Sequence, residues 1–169
     1  MKNKAYENYP SCIVFASNLV SIGIYLLGGY IIYQMGLIWL LIYLAYIVWL
    51  EIKLLKDHCV SCYYYGKNCA FGRGKLSCLF FKKDAKKKFI NIKLTWKDIL
   101  PDFLVSIIPL LVGVVLLIRN FSWLLLGTIV LLFLLMSAGN GFIRGTLACK
   151  YCKQRELGCP AEKLFSKKK

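Results

Sequence analysis

A three-cysteine motif, C-x2-C-x6-C, occurs twice in this chain, and each copy follows a pair of long apolar segments. Module one covers residues 59–69 and module two covers residues 149–159. All three cysteines are displaced by the same 90 positions. A fixed period of this kind is the signature of a repeated structural unit. We therefore interpret the chain as one unit used twice, in which two apolar helices precede a cysteine module.

The four apolar segments are long enough to cross a membrane, which takes about 17–25 residues of helix. The chain is 59% hydrophobic with a mean hydropathy of +0.59, whereas soluble domains are about 45–50% apolar. The first segment is too long for the apolar core of a cleaved signal peptide, about 7–15 residues. The sequence predicts an all-α membrane protein with four transmembrane helices in two tandem hairpins, each followed by a cytoplasmic three-cysteine module. The predicted spans are residues 11–33, 37–55, 101–118 and 121–143.

The positive charges are distributed unevenly about these spans. Of the 23 Lys and Arg residues, 22 lie at one set of span ends and only Arg119 lies in a turn on the other side. Cytoplasmic loops carry such an excess of Lys and Arg. We therefore expect a multi-pass protein of the cell membrane with both termini cytoplasmic. Topology and anionic lipid account for the net charge of +15, so we expect no nucleic-acid partner.

This topology divides the chain into five parts: a cytoplasmic tail at 1–10, repeat 1 at 11–69, a basic loop at 70–100, repeat 2 at 101–159 and a basic tail at 160–169. In the loop, the run from Lys82 to Lys88 is flanked by Phe81 and Phe89. Lysines beside aromatic residues predict a segment that lies on anionic lipid headgroups. Pro101 fits the start of the third span, and Pro109 should bend that helix or mark a packing notch.

The cysteines favour a metal site. All eight fall near the predicted cytoplasmic ends of the spans, and the cytosol keeps thiols reduced, so dense cysteines there more often bind metal than form disulfides. Zinc takes four sulfur or nitrogen ligands in structural sites, so each module is one ligand short. The predicted metal ligands are Cys59, Cys62, Cys69, Cys149, Cys152 and Cys159. Nearby cations would offset the thiolate charge: Lys67, Arg73, Lys150, Lys153 and Arg155.

Three arrangements supply the missing ligand. In the first, Cys78 completes module one and His58, the only histidine, completes module two. In the second, two bridging sulfurs let six cysteines hold two zinc ions. In the third, an iron–sulfur cluster lies between the modules. Disulfide or thiol-redox chemistry and inert cysteines are the alternatives. The alternative for His58 is a solvated juxtamembrane residue, and we interpret Cys12 as a packed interfacial thiol rather than a ligand.

The module spacing resembles that of the binuclear zinc cluster of fungal transcription factors, which also uses two C-x2-C-x6-C halves. This resemblance covers only the two eleven-residue modules, and here two spans replace the short linker between the halves. It implies zinc ligands at the six module cysteines and does not imply DNA binding.

A second resemblance covers most of the chain. The segments CYYYGK from Cys62, GKL from Gly74 and GCPA from Gly158, together with the cysteine pattern, are similar to a family of small archaeal multi-pass membrane proteins with two CxxCx6C motifs. That family carries no assigned activity, so the resemblance implies an architecture and no mechanism.

These patterns favour a non-enzymatic membrane protein in which metal clamps the two hairpins and shapes a docking surface for a cytoplasmic partner or a second copy. The alternative is a membrane redox protein with an iron–sulfur cluster or a CxxC dithiol. The sequence contains no paired carboxylates, no Ser/His/Asp set and no nucleotide-binding loop, so nothing in it indicates an enzyme. Transport is disfavoured because the spans carry ionisable residues only near their ends.

Overall fold

The chain is helical, as predicted, and the computed structural model describes residues 5–83, 89 and 95–165, with the backbone alone for 163–165. No strand occurs in these residues. Most of the run from Lys82 to Lys88 lies outside them. Four helices are long and apolar enough to span a membrane, which is compatible with a multi-pass protein. They are Ser11–Tyr33, Leu37–Ser61, Trp96–Arg119 and Trp123–Tyr151.

The first hairpin consists of α1, Ser11–Tyr33, and α2, Leu37–Asp57. Its bounds agree closely with the predicted spans. The turn between the two helices passes through Gly36, whose φ of 123° is a conformation that side chains with a Cβ rarely adopt. After α2 and module one, a short helix, α3, covers Arg73–Phe80.

The second hairpin begins earlier than the sequence predicted. Helix α4 covers Trp96–Arg119, so Pro101 lies inside it and does not start it. The Thr95 amide donates to the Asp98 carboxylate at 2.9 Å, which is half of a capping box. The negative charge of Asp98 also favours the helix N-terminus. This cap starts α4 five residues before Pro101.

Pro109 marks a packing notch, one of its two predicted roles. It is fully buried in α4, and a proline at this position leaves the carbonyl of Val105 without its helical donor. The hydroxyl of Tyr43 on α2 donates to that carbonyl at 2.9 Å. A Cβ on Gly28 would lie 3.1 Å from the Pro109 ring and 2.3 Å from the Tyr43 hydroxyl. Gly28 therefore allows α1, α2 and α4 to meet closely.

The fourth span departs from a regular helix. Helix α5, Trp123–Leu134, is followed by a π-helical segment at Leu135–Gly139, by α6 at Asn140–Phe142 and by a second π-helical segment at Ile143–Ala148. Such wider turns are rare and occur frequently at functional sites. Two short helices follow module two's first turn: α7, Lys153–Gly158, and α8, Pro160–Phe165.

The core between the helices is apolar, and much of the outer surface is apolar as well. One buried cluster joins α1 to α5 through Ile31 and Leu132, neither of which is exposed. Another joins α1, α2 and α4 around Ile32, Tyr43 and Val105. Large apolar side chains point away from the bundle along all four long helices. This distribution suits helices surrounded by lipid tails.

Both modules, α3 and the N-terminal residues lie at one end of the bundle, which we call the module end. A buried cluster there joins Tyr9, Tyr64, Ala70, Ile143 and Ala148 with Ile13. The predicted tail takes part in it, because the Tyr6 amide donates to the Tyr151 carbonyl at 2.9 Å and the Tyr9 amide donates to the Asn68 carbonyl at 3.0 Å. The N-terminal segment therefore bridges the two modules.

Candidate metal centre

The two modules begin with the same local backbone conformation. Each begins with a single 3₁₀ turn, at Cys59–Ser61 in module one and Cys149–Tyr151 in module two. In each turn the amide of the second cysteine donates to the carbonyl of the first, at 3.3 Å for Cys62 and at 3.4 Å for Cys152. The modules then diverge, because module two continues as helix α7 and module one continues in turns.

Backbone amides donate hydrogen bonds to the sulfurs in both modules. The sulfur of Cys69 accepts from the Gly74 amide at 3.3 Å. The sulfur of Cys62 accepts a hydrogen bond from the Tyr64 amide. The sulfur of Cys152 accepts hydrogen bonds from the amides of Gln154 and Arg155. Such donors stabilise negative charge on a thiolate, so they tune and orient sulfur ligands in metal sites.

The modules contact each other directly through polar groups. The Tyr63 amide of module one donates to the side-chain oxygen of Gln154 in module two at 2.8 Å. In the other direction, the Lys153 amide donates to the Tyr64 hydroxyl at 2.9 Å. Gln154 is buried, with 5% of its surface exposed. These bonds hold the two modules side by side without any metal.

The six module thiols form one network of electrostatic neighbours. Cys62 interacts with Cys69 of its own module and with Cys152 and Cys159 of the other. The two other thiols, Cys59 and Cys149, belong to the same network. Cys59 interacts with Cys69, and Cys149 interacts with Cys159. All eight cysteines of the chain fall in the described residues, and all eight are free thiols. In the described part of the chain, no group of three or more His, Cys, Asp or Glu side chains is arranged so that it could hold a metal ion.

Burial keeps the central thiols protonated. It raises the pKa of Cys62 to about 11, and it also raises the pKa of Cys152, against the effect of the amide donors. A metal ion binds the thiolate, so it must displace these protons. The thiol pairs are therefore close in space but neutral, and they would gather around an ion only as they lose protons.

The two additional predicted ligands interact with groups other than the six module thiols. His58 ends α2, and its charge acts on Asp98 and Asp102 of α4. Cys78 is exposed on α3 and interacts with the Tyr65 hydroxyl. Cys12 is exposed near the start of α1.

Two of the predicted cations lie close to the module thiols. Arg73 interacts with Cys59, and Arg155 interacts with Cys149 and Cys152. Arg155 is also paired with Glu162 at 2.8 Å. Positive charges in these places would stabilise thiolates on either side of the network.

Sequence reasoning missed the aromatic contacts that join the modules. The Tyr64 hydroxyl donates to the Tyr6 carbonyl at 2.6 Å, and the Tyr9 hydroxyl donates to the Ala148 carbonyl. The ring of Tyr9 packs against that of Tyr64, with 5.5 Å between their centroids. The signal was the two tyrosines of the N-terminal segment together with the Tyr run that follows Cys62.

The sequence also did not indicate that Gly74, in α3, packs directly against the backbone of module one. A Cβ on it would lie 2.1 Å from the Tyr64 carbonyl oxygen and 2.5 Å from that of Lys67. Its own carbonyl accepts from the Gly66 amide at 2.9 Å. The start of α3 can fold back onto the module only because this position has no side chain.

Comparison with known proteins identified no relative of this chain. No protein-family model matches the chain, and neither a curated protein nor a solved structure matches it. The function must therefore be argued from the geometry of the module end.

Proposed function

We propose that this is an integral membrane protein whose two cysteine modules together bind zinc on the cytoplasmic side. The bound metal clamps the two helical hairpins and shapes a docking surface for a cytoplasmic partner. The observation that carries the proposal is the pairing of two matching C-x2-C turns, side by side, with their thiols in electrostatic contact. Each module directly follows one hairpin, so an ion shared between the modules fastens one hairpin to the other.

Zinc fits the donor set better than a hard cation does. Thiolates suit zinc, whereas magnesium and calcium prefer oxygen ligands. Six thiolates can complete two tetrahedral zinc ions if two sulfurs bridge, and this leaves a net charge of −2 on the cluster. Arg73 and Arg155 lie near the thiols and would offset that charge.

The charge distribution supports a cytoplasmic module end. The structured N-terminal residues, both modules and the start of α8 lie at this end, as do 22 of the 23 Lys and Arg residues in the proposed topology. A reducing cytosol would keep the thiols available for metal. Helix α3 adds a membrane contact, because Leu79 and Phe80 are 79% and 68% exposed beside Lys82 and Lys83. Apolar side chains next to lysines suit a surface of anionic lipid.

The test is the metal content of protein purified in detergent without oxygen. We expect about two zinc ions per chain if the sulfurs bridge. Cys59→Ser and Cys149→Ser should each remove the metal from both modules, because the site is shared. Cys12→Ser is the matched control and should keep it. Protein that binds no zinc under these conditions, or that loses half with each variant, would contradict the shared clamp.

An iron–sulfur cluster in a membrane redox protein is the second candidate. The observation that favours it is the set of amide hydrogen bonds to sulfur, which also tune iron–sulfur potentials. The same purification separates the two candidates. Brown protein that contains iron and bleaches on reduction would support the cluster, whereas colourless protein with zinc excludes it.

A further inference from the structure

The bundle contains a polar cavity of about 100 Å³ beside the module end, and this cavity is partly open to the surroundings. It lies among α1, α2, α4, the residues that lead into α3, and the fourth span. Its apolar side comes from residues such as Ile24 and Leu54. Its polar lining includes Tyr25, Glu51, Arg73, Asp102, Asn140 and Arg144.

Two of the four charged residues that line this cavity, Glu51 and Arg73, neutralise each other. The Nε of Arg73 donates to one Glu51 carboxylate oxygen at 2.9 Å, and a second guanidinium nitrogen donates to the other. The Tyr25 hydroxyl donates to Glu51 at 2.7 Å. This bidentate pair joins α2 to α3 and leaves Glu51 with no capacity for another strong cation. It forms a wall of the cavity.

The other two charges are not paired. Among the described residues, the exposed side chains of Asp102 and Arg144 make no ion pair or hydrogen bond with a protein group, although they are close enough to influence each other. The guanidinium of Arg144 lies over the Phe71 ring, 5.6 Å from its centroid. The Asn140 side chain also makes no hydrogen bond within the described chain. The cavity thus presents one free carboxylate, one free guanidinium and one free amide.

The π-helical segments independently mark this site. Asn140 directly follows the first segment and Arg144 lies in the second. A wider helical turn changes the direction in which the next side chains project, which is why such turns frequently occur at functional sites. Here the irregular part of the fourth span coincides with the two residues that this span contributes as polar lining.

We propose that this cavity binds an aminoalkyl phosphate group, with its ammonium on Asp102 and its phosphate on Arg144. A ligand with a single charge would leave one of these two side chains unpaired. Arginine matches phosphate because its planar guanidinium can donate two parallel hydrogen bonds. On the spans, the charged lining lies within about two helical turns of the ends at the module end, close to the level of lipid phosphates. The group can therefore be the head of an aminophospholipid or a free molecule of the same chemistry.

The test uses the full-length protein in nanodiscs and counts retained lipid by native mass spectrometry. We expect phosphatidylethanolamine to be retained at least about tenfold better than phosphatidylcholine, whose quaternary ammonium cannot donate a hydrogen bond to Asp102. Asp102→Asn should abolish this preference. Arg144→Gln should weaken retention of phosphatidylethanolamine and phosphatidylglycerol alike.

Arg119→Gln is the matched control, because it removes a guanidinium at the opposite end of the bundle. It should leave the preference unchanged, and thermal unfolding of each variant checks that the bundle is intact. Competition by free phosphoethanolamine identifies a soluble ligand, while retention of lipid against it identifies the lipid head. Equal retention of the two lipids together with no binding of phosphoethanolamine would overturn the proposal. So would an unchanged preference in folded Asp102→Asn.

Discussion

Gly28 lies where α1, α2 and α4 approach most closely, and its missing side chain protects a hydrogen bond. We expect Gly28→Ala to push the Tyr43 hydroxyl, which would lie 2.3 Å from the new Cβ, away from the Val105 carbonyl. A buried carbonyl left without a donor costs about 1–3 kcal/mol. Thermal unfolding in detergent measures the loss.

Gly127→Ala is the control for that substitution. Gly127 is in α5, and nothing lies within 4 Å of a Cβ built there. An alanine in open space should leave the unfolding temperature unchanged or raise it slightly, because alanine favours helix. Equal effects of the two substitutions would show that the three helices do not meet at Gly28.

The buried thiol of Cys62 gives the metal-free protein a defined pH dependence. Its pKa of about 11 lies above that of a free thiol, about 8.5. Because the thiolate is the reactive form, alkylation of Cys62 near pH 8 should be about two hundredfold slower than that of a model thiol. The rate should rise as the pH approaches 11. Mass spectrometry of the Cys62 peptide gives this profile, and a midpoint near 8.5 would contradict burial.

The raised pKa of Cys62 also makes the free energy of unfolding depend on pH. A pKa raised in the folded state means that folding favours the protonated thiol, so this contribution to stability is present below the unfolded pKa. It is lost as the pH rises through about 11. Metal binding has the opposite dependence, since it releases protons and becomes tighter at higher pH.

Among the structural elements, the N-terminal segment is the one that bridges both modules. Its amides and tyrosines bond to both modules. We expect removal of residues 1–9 to expose Cys152 and to increase its alkylation by at least about tenfold in the metal-free protein, while the long helices persist. Circular dichroism and the mass of the Cys152 peptide measure the two effects.

Removal of residues 1–4 alone is the matched control, because it keeps Tyr6 and Tyr9. It should leave the alkylation of Cys152 unchanged. If the two truncations behave alike, the segment does not protect module two.

The helices themselves could be predicted to different degrees from the sequence. Apolar length and the turn at Gly36 place the first hairpin almost to the residue. The predicted start of α4 was wrong because proline is common in the first turn of helices, which favoured Pro101. The cap formed by Thr95 and Asp98 lies in a basic stretch that resembles a loop. No local pattern in the sequence indicates the π-helical segments of the fourth span.

At the scale of the whole molecule, zinc should stabilise one end of the bundle more than the rest. If metal fastens the modules, chelation should increase hydrogen exchange in residues 59–69 and 149–159 while the buried helices keep their protection. Hydrogen exchange with mass spectrometry, with and without chelator, measures this contrast. Uniform loss of protection along α1 and α5 would instead show that the metal holds the entire bundle together.

The candidate sites also differ in how far the sequence indicates them. The cysteine modules are visible because their cysteines are close together in the sequence and repeat. The cavity is not, because Glu51, Asp102 and Arg144 come from three distant segments, and each one looks like an ordinary charge near the end of a span. Only packing of both hairpins shows that Asp102 and Arg144 face a common space without a bonded partner among the described residues.

The bridge between Tyr6 and Cys152 has a consequence for biosynthesis. Tyr6 is made before all four long helices, but the backbone that it pairs with is made only after the fourth of them. Until then, the tyrosines of the N-terminal segment lack their partners in module two. The module end can therefore close only after both hairpins have been made.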